Sequence, residues 1–230
     1  MNVLITGANR GLGCELCRAF AKAGHRVFAG VLERADASAL KAAAADLPGI
    51  GILPMDVADR AQVLEAAVTV NHAVGKLDAL VNVAGILCDS DRTLPITNAD
   101  PDDLELAFRV NVLGAANVIH AFQDMIVPDG WFIDITSEGG SLQNVGTTYP
   151  AYSVTKAAEN KLVAIFRKMN PDFRVYAMHP GRMNTEMGRE FAQIEPSESA
   201  EAIRALVSGE RAVSAEADWF IDYLGRPMEV

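Results

Sequence analysis

The chain has 230 residues, of which 50% are apolar and 22% charged, so it can bury the core of one α/β domain. Its formal net charge of −10 is spread along the sequence without a basic stripe, and we therefore expect neither nucleic acid nor an anionic membrane surface as a partner. Since no apolar run approaches about 18 residues and no charged leader follows Met1, the sequence predicts a cytoplasmic protein without a membrane span.

The sequence offers little for redox or metal chemistry. Three cysteines, an odd number, fit a reducing compartment better than a disulfide framework. Cys14 and Cys17 have the spacing of a redox pair, but the Gly-rich loop before them favours two cysteines that face the core. The histidines lie far apart and predict no metal site; they are His25, His72, His120 and His179.

Short apolar runs rich in β-forming residues alternate along the chain with intervals that are long enough for a helix. The predicted strands comprise residues 3–6, 26–31, 51–55, 77–82, 131–135 and 174–178. The predicted helices comprise a first one that ends near Ala23, then residues 35–46, 59–74, 102–125 and 151–169. This order predicts a single-domain, doubly wound α/β Rossmann fold over residues 1–230, with a mostly parallel sheet flanked by helices.

Two loops are long enough to contribute to a binding site. Residues 85–101 and 181–196 each follow the carboxyl end of a predicted strand, where open α/β sheets bind ligands. In the second loop, a substrate-covering segment over residues 182–195 mixes apolar side chains with Arg182 and Arg189. These arginines suit an acidic substrate, but surface solvation is the favoured interpretation.

A glycine-rich loop joins the first strand to the first helix, with the sequence Thr6-Gly7-Ala8-Asn9-Arg10-Gly11-Leu12-Gly13. Its glycines permit a tight turn and a close approach to a pyrophosphate, which the unpaired N–H groups of the helix N-terminus then bind. Asp56 and Val57, after the third strand, are expected near the adenine, although Asp56 also fits an N-terminal cap. The predicted dinucleotide site of this loop comprises Gly7, Asn9, Arg10, Gly11, Leu12 and Gly13.

The end of the second strand usually separates NAD from NADP, because an acid there accepts from the ribose hydroxyl and an arginine pairs with the phosphate. Val31 and Leu32 occupy this position here. Without an acid at the strand end, and with Arg10 in the glycine loop, the sequence slightly favours NADP over NAD. Glu33 and Arg34 favour opposite choices.

Tyr152 and Lys156 stand four residues apart near the start of the last predicted helix, and therefore share one helix face. A phenol with a pKa of about 10 is a poor base, but an adjacent ammonium stabilises its phenolate. Tyr152 can then exchange a proton with a substrate oxygen while a hydride moves. Taken alone, this pair is more typical of an ordinary solvated helix than of a catalytic site.

The glycine loop and the Tyr-x-x-x-Lys pair together resemble the short-chain dehydrogenase/reductase family, and the resemblance extends over nearly the whole chain. Asn82-Val83-Ala84-Gly85 is similar to the family's Asn-Asn-Ala-Gly, from which Val83 departs. The other matching residues follow in the family's order; they are Asn111, Ser137, Tyr152, Lys156, and the segment Pro180-Gly181 with Thr185.

The resemblance implies an NAD(P)-dependent oxidoreductase that transfers a hydride between nicotinamide and a small-molecule carbonyl or secondary alcohol. It implies that Tyr152 is the acid/base, that Lys156 lowers its pKa and binds ribose, and that Ser137 orients the reacting oxygen. Asn111 holds a water of the proton relay in the family. The implied cofactor contacts beyond the glycine loop are Asn82, Ala84, Gly85, Tyr152, Lys156, Pro180, Gly181 and Thr185.

Both ends of the chain resemble a small branch of the family that includes the sniffer carbonyl reductases and the C-factor proteins. This branch leaves an alternative open, a cofactor-binding signalling protein with little turnover. Glu138, beside Ser137, either biases substrate choice or faces water. The family also implies a homodimer or homotetramer through the helices predicted at residues 102–125 and 151–169.

Overall fold

The computed structural model describes residues 1–188 and 191–230, so the predicted role of Arg189 lies outside the described residues. Within this part of the chain, seven strands form one sheet: β1 (Asn2–Ile5), β2 (Arg26–Val31), β3 (Ile50–Pro54), β4 (Leu77–Asn82), β5 (Ile126–Ile135), β6 (Arg174–His179) and β7 (Phe220–Asp222). Every neighbouring pair is parallel, and the order is β3-β2-β1-β4-β5-β6-β7. The predicted doubly wound fold class is confirmed.

Helices cover both faces of the sheet because alternate residues of each buried strand point to opposite sides. Along β1, Val3 and Ile5 join one apolar cluster and Leu4 joins the other. The helices are α1 (Gly11–Lys22), α2 (Ser38–Asp46), α3 (Arg60–Val74), α4 (Pro101–Ala107), α5 (Gly114–Phe122), α6 (Pro150–Met169) and α7 (Pro196–Val207). The first cluster is covered by α1, α2 and α7, the second by α3, α5 and α6.

Most predicted elements lie within a few residues of their expected bounds. The strands β2 and β4 match the predicted ranges, whereas β5 begins earlier, at Ile126. Asp59 caps α3 as predicted, since its carboxylate accepts hydrogen bonds from the backbone N–H groups of Ala61 and Gln62. The helix α6 ends at Met169, directly before the Asn170-Pro171 pair.

The single helix predicted over residues 102–125 is wrong in its interior. A π-helical turn, Phe108–Leu113, separates α4 from α5, and a 3₁₀ turn, Gln123–Met125, follows α5. Apolar periodicity runs through all of these segments, which is why the sequence predicts one helix. The π turn contains Asn111, whose side chain is buried, and such turns are frequent at functional sites.

The predicted elements do not include two elements near the C-terminus, β7 and α7. The strand β7 has three residues, which is too short for a detectable alternation. The helix α7 was detectable, because Pro196 stands at its start and Ala200, Ile203 and Val207 recur at helical spacing and are buried.

The structure agrees with the prediction that Cys14 and Cys17 face the core, since both side chains are buried and neither forms a disulfide. Burial raises the pKa of the Cys17 thiol above its usual value, which disfavours the reactive thiolate. No helix within residues 1–188 and 191–230 is both long and apolar enough to cross a membrane.

Candidate active site

A cleft of about 980 Å3 lies at the carboxyl ends of the central strands, where the chain leaves β1 and β4 in opposite directions. Open α/β sheets bind their ligands at such a switch point. Many of the predicted site residues line this cleft: Gly7, Arg10, Gly11, Leu12, Ala84, Gly85, Ser137, Tyr152, Lys156, Pro180, Gly181 and Thr185. Others lie outside its lining: Asn9, Gly13, Asp56, Val57, Asn82 and Asn111.

The glycine loop has a backbone that side chains would not tolerate. Gly7 has a φ of 61°, and a Cβ atom there would lie 2.8 Å from the Ala84 backbone. A Cβ atom at Gly13 would lie 2.3 Å from the Gly7 carbonyl oxygen. No side chain caps the first N–H groups of α1, so they remain able to bind an anion.

Two side chains of the glycine loop, Asn9 and Arg10, interact with other segments of the protein. The Asn9 amide accepts a hydrogen bond from the Leu32 N–H and donates one to the Leu32 carbonyl, which fastens the loop to the end of β2. Arg10 forms an ion pair with Glu186 in the segment that follows β6. A direct contact of Asn9 or Arg10 with a cofactor stays a prediction.

The end of β4 is joined to the glycine loop by a buried polar chain. The Thr6 hydroxyl donates to the Asn82 amide oxygen at 2.6 Å and accepts from the backbone N–H groups of Val83 and Ala84. The Asn82 amide donates to Asp134 on β5 at 2.7 Å. Asn82 therefore supports the cleft from behind, and sequence reasoning did not identify Asp134.

Asn111 joins the loop after β4 to the helix α6. Its amide oxygen accepts from the Ile86 N–H at 2.8 Å, and its amide nitrogen donates to the Ile86 carbonyl and to the Thr155 hydroxyl, both at 3.0 Å. The Thr155 hydroxyl in turn donates to the Tyr152 carbonyl. The side chain of Asn111 thus positions the first turn of α6.

Ser137, Tyr152 and Lys156 meet in the cleft. The Lys156 ammonium lies 5.5 Å from the centre of the Tyr152 ring, and the Ser137 hydroxyl interacts with the phenol. Burial raises the pKa of Tyr152 above its usual value, and the negative charge of Glu159 raises it further, whereas Lys156 and Ser137 lower it. The predicted action of Lys156 has the expected sign, but burial outweighs it.

Lys156 lies in an acidic environment, which no sequence pattern indicates. Its ammonium donates to the Ile135 carbonyl at 3.0 Å and lies 2.9 Å from a carboxylate oxygen of Glu159. Although burial favours the neutral amine, Glu159 and then Tyr152 and Asp134 raise the pKa of Lys156 above its usual value. Lys156 is therefore a cation throughout the physiological pH range.

The segment after β6 folds back over the glycine loop. The methyl carbon of Thr185 lies 3.5 Å from where a Cβ atom at Gly11 would stand, so Thr185 faces the loop. Beside Ser137, Glu138 pairs with Arg182 at 2.6 Å. Although burial opposes its ionisation, that hydrogen bond holds the pKa of Glu138 below its usual value.

Asp56 and Val57 follow β3, away from the reacting centre. Asp56 accepts a hydrogen bond from the Ala58 N–H and lies 3.4 Å from Arg34. Val57 is buried against Gly114 on α5. A contact of either residue with adenine stays a prediction.

Asp91 is a further residue that sequence reasoning missed. It is buried in the loop after β4, and its two carboxylate oxygens accept hydrogen bonds from the backbone N–H groups of Ala151 and Tyr152, each at 2.8 Å. These N–H groups belong to the first turn of α6 and have no partner within the helix. Asp91 therefore holds the helix end that carries Tyr152.

We expect Asp91→Ala to lower the free energy of unfolding by about 1–2 kcal/mol, because two buried donors lose their acceptor. Denaturant unfolding followed by circular dichroism measures the change. Asp89→Ala is the matched control, since the Asp89 side chain is fully exposed two residues earlier. Equal stabilities of the two variants would contradict the capping role.

A family model for the short chain dehydrogenase family matches residues 1–196 of the chain. The curated relative "Short chain dehydrogenase tazN" of Aspergillus terreus is 32% identical over 195 residues, which are 81% of this chain. The chain spans 42% of that relative's length and 65% of the length of two further relatives, from Monascus.

Solved structures share the fold. A short-chain dehydrogenase/reductase of Burkholderia multivorans with bound NADP is 25% identical, with a TM-score of 0.88 over 100% of this chain and 99% of that one. The carbonyl reductase Sniffer of D. melanogaster has a TM-score of 0.90 over the same shares of the two chains. At 23% identity, the second similarity concerns the fold alone.

Proposed function

The chain belongs to the short-chain dehydrogenase family, and from this premise we propose that it is an NAD(P)-dependent oxidoreductase acting on C=O and CH–OH groups. One observation carries the proposal: Ser137, Tyr152 and Lys156 meet in the cleft that the glycine loop also lines. The alternative of a signalling protein with little turnover is not favoured, because such a protein has no need for this combination.

The protein fits a dinucleotide at this place. Gly7 and Gly13 let the loop pack tightly against the Ala84 backbone and against itself, and the uncapped start of α1 leaves N–H groups that suit a closely bound pyrophosphate. We assign the pyrophosphate to residues 11–13 and the nicotinamide end to Gly85, Lys156 and the Pro180-Gly181 segment with Thr185. Bound nicotinamide would supply or accept the hydride.

The proton is handled by the protein's own residues. In reduction, Tyr152 donates its phenolic proton to the substrate oxygen, which the Ser137 hydroxyl holds in place. Lys156 stabilises the phenolate that results, because its ammonium is close and remains charged. Asn111 contributes to the proton relay as a positioning residue, through its bonds to Ile86 and Thr155.

We further propose that the cofactor is NADP, with Arg34 as the partner of the 2'-phosphate. Arg34 lies beside Asp56, on the side of the sheet where the adenine is expected, and its side chain is exposed. Arg10, which the sequence favours for this role, forms a closer ion pair with Glu186 than Arg34 forms with Asp56 at 3.4 Å. The similar protein of Burkholderia multivorans, which contains NADP, supports the choice of cofactor.

We expect Arg34→Ala to weaken NADPH binding about tenfold, the loss of one exposed charge-assisted contact, and NADH binding by less than about threefold. Fluorescence titration of each cofactor measures both constants. Arg10→Ala is the matched control. A larger loss of NADPH affinity in Arg10→Ala than in Arg34→Ala would identify Arg10 as the partner of the 2'-phosphate.

We also propose a homodimer or homotetramer through the two long helical segments. Leu113, Val154 and Ile165 lie on these segments and expose large apolar side chains, which suits association with a second copy. Sedimentation equilibrium of the wild type and of Ile165→Glu would test this assembly. A cytoplasmic location and one domain over residues 1–230, with a covering segment over 182–195, stay predictions.

The activity itself is tested with a panel of ketones, aldehydes and secondary alcohols, each with NADPH, NADH and their oxidised forms. The expected result is turnover of at least one carbonyl or alcohol, seen as a change in nicotinamide absorbance. Tight cofactor binding without turnover across the panel would contradict the proposal.

A further inference from the structure

Two carboxyl groups and one ammonium are buried together behind Tyr152. Glu159 lies on α6 one turn after Lys156, and Asp134 lies on β5; neither acid has any solvent exposure. Both oxygens of Glu159 are close to the Lys156 nitrogen, at 3.1 and 2.9 Å. This group, Asp134, Lys156 and Glu159, is called the buried triad below.

The charges of the buried triad do not balance. If both acids were ionised, the triad would hold one net negative charge without contact with water, which is costly. One oxygen of Asp134 and one of Glu159 also lack a hydrogen bond, although both atoms are buried. Burial raises the pKa of Asp134 to about 6 and that of Glu159 to about 8. Near neutral pH the two acids therefore retain a proton between them, and they lose it as the pH rises.

Glu159 also restricts what the Lys156 ammonium can bind. An ammonium has three N–H donors. One is directed to the Ile135 carbonyl and another to Glu159, and both acceptors are buried. The orientation of the remaining N–H group relative to the cleft is therefore set by Glu159 and by the end of β5.

We propose that Glu159 is a positioning residue for the reaction: its carboxyl group fixes the Lys156 ammonium, and its charge sets how strongly that ammonium stabilises the Tyr152 phenolate. The inference rests on the proposed function. The titratable groups that act on Glu159 are Lys156 on its own helix and Asp134 on β5. Those that act on Lys156 are Glu159, Tyr152 and Asp134.

The sign of the effect follows from these contacts. An ionised Glu159 neutralises part of the Lys156 charge and raises the pKa of Tyr152. Tyr152 titrates above the pKa of Glu159, so Glu159 carries its full charge when the phenol ionises. Removing that charge exposes Tyr152 to the whole field of the ammonium, and its phenolate forms at lower pH.

The test is Glu159→Gln, which keeps an acceptor for the ammonium and removes the charge. An ultraviolet difference titration against the same protein with Tyr152→Phe isolates the ionisation of that phenol and requires no turnover. We expect the titration of Tyr152 to move to lower pH by about one unit. The limb of the pH profile of carbonyl reduction that Tyr152 controls is expected to move by the same amount.

Two further variants separate this role from a structural one. Glu159→Leu also removes the acceptor, so we expect the same direction of shift and a lower kcat than in Glu159→Gln. Glu201→Gln is the control, because Glu201 pairs with Arg204 on α7, and we expect no shift. A Tyr152 titration within about 0.3 unit of the wild type in Glu159→Gln would overturn the inference. A shift in the titration together with a wild type that turns over no substrate would support the inference and reject the proposed function.

Discussion

Tyr152→Phe is expected to lower kcat/KM for carbonyl reduction by about a thousandfold while the Kd of the nicotinamide cofactor changes by less than about threefold. The substitution removes one oxygen, the one that we propose gives its proton to the substrate. The phenyl ring keeps the packing, and the backbone N–H of residue 152 keeps its bond to Asp91. The loss is therefore chemical and leaves the cleft intact.

The control for this experiment is Tyr176→Phe, because Tyr176 lies on β6, where its ring contacts Trp131 at a centroid distance of 5.6 Å. Steady-state kinetics with the best substrate of the panel and fluorescence titration of the cofactor give the two quantities. If Tyr152→Phe keeps more than about a tenth of the wild-type turnover, another group is the acid/base.

Lys156→Met is expected to remove nearly all turnover and also to lower the free energy of unfolding by about 3 kcal/mol at pH 8, since it leaves buried carboxylates without their cation. The size of the side chain is nearly conserved, so the loss comes from charge. An ordinary solvated lysine costs little when replaced. Measuring stability as well as activity in Lys156→Met therefore distinguishes a buried catalytic pair from an ordinary solvated helix face.

The double variant Lys156→Met, Glu159→Leu separates the two effects. Removing Glu159 together with Lys156 is expected to restore most of the stability, because the unpaired buried charge disappears, while turnover stays lost. Denaturant unfolding of the wild type and of the three variants, including Glu159→Leu alone, completes the cycle. Purely additive stabilities would show that Lys156 and Glu159 are not coupled.

The local part of the site was accessible from the sequence. The glycine loop depends on the backbone freedom of Gly7 and Gly11 and on the absence of a side chain at Gly13. Tyr152 and Lys156 share a face through helix geometry, so neither feature has to be inferred from residues far away in the sequence. The strand rhythm was accessible for the same reason, because alternation and spacing are properties of short segments. The reliable predictions concern interactions within about one turn or one loop.

The electrostatics of the site were not accessible. Glu159 stands three residues after Lys156, a spacing that is also typical of an exposed ion pair, and only tertiary packing makes this pair a buried one. Asp91 reaches Tyr152 across 61 positions of sequence, and nothing local in either segment indicates the pairing. The sequence favours Arg10 as the partner of a phosphate because its ion pair with Glu186 cannot be read from the sequence: Glu186 lies 176 positions away.

By itself, the sequence determined the parallel sheet and the glycine loop, because each is encoded in periodicity or in short fixed spacings. Tyr152 and Lys156 became the predicted proton-transferring pair only through their resemblance, together with the other motifs, to the short-chain dehydrogenase/reductase family. Only the tertiary structure decided which charges surround that pair, how the helix that carries it is capped, and where the helix before it changes to a π turn. The reason is physical: desolvation and Coulomb interactions depend on distances through space, and folding creates those distances between residues that the chain keeps far apart.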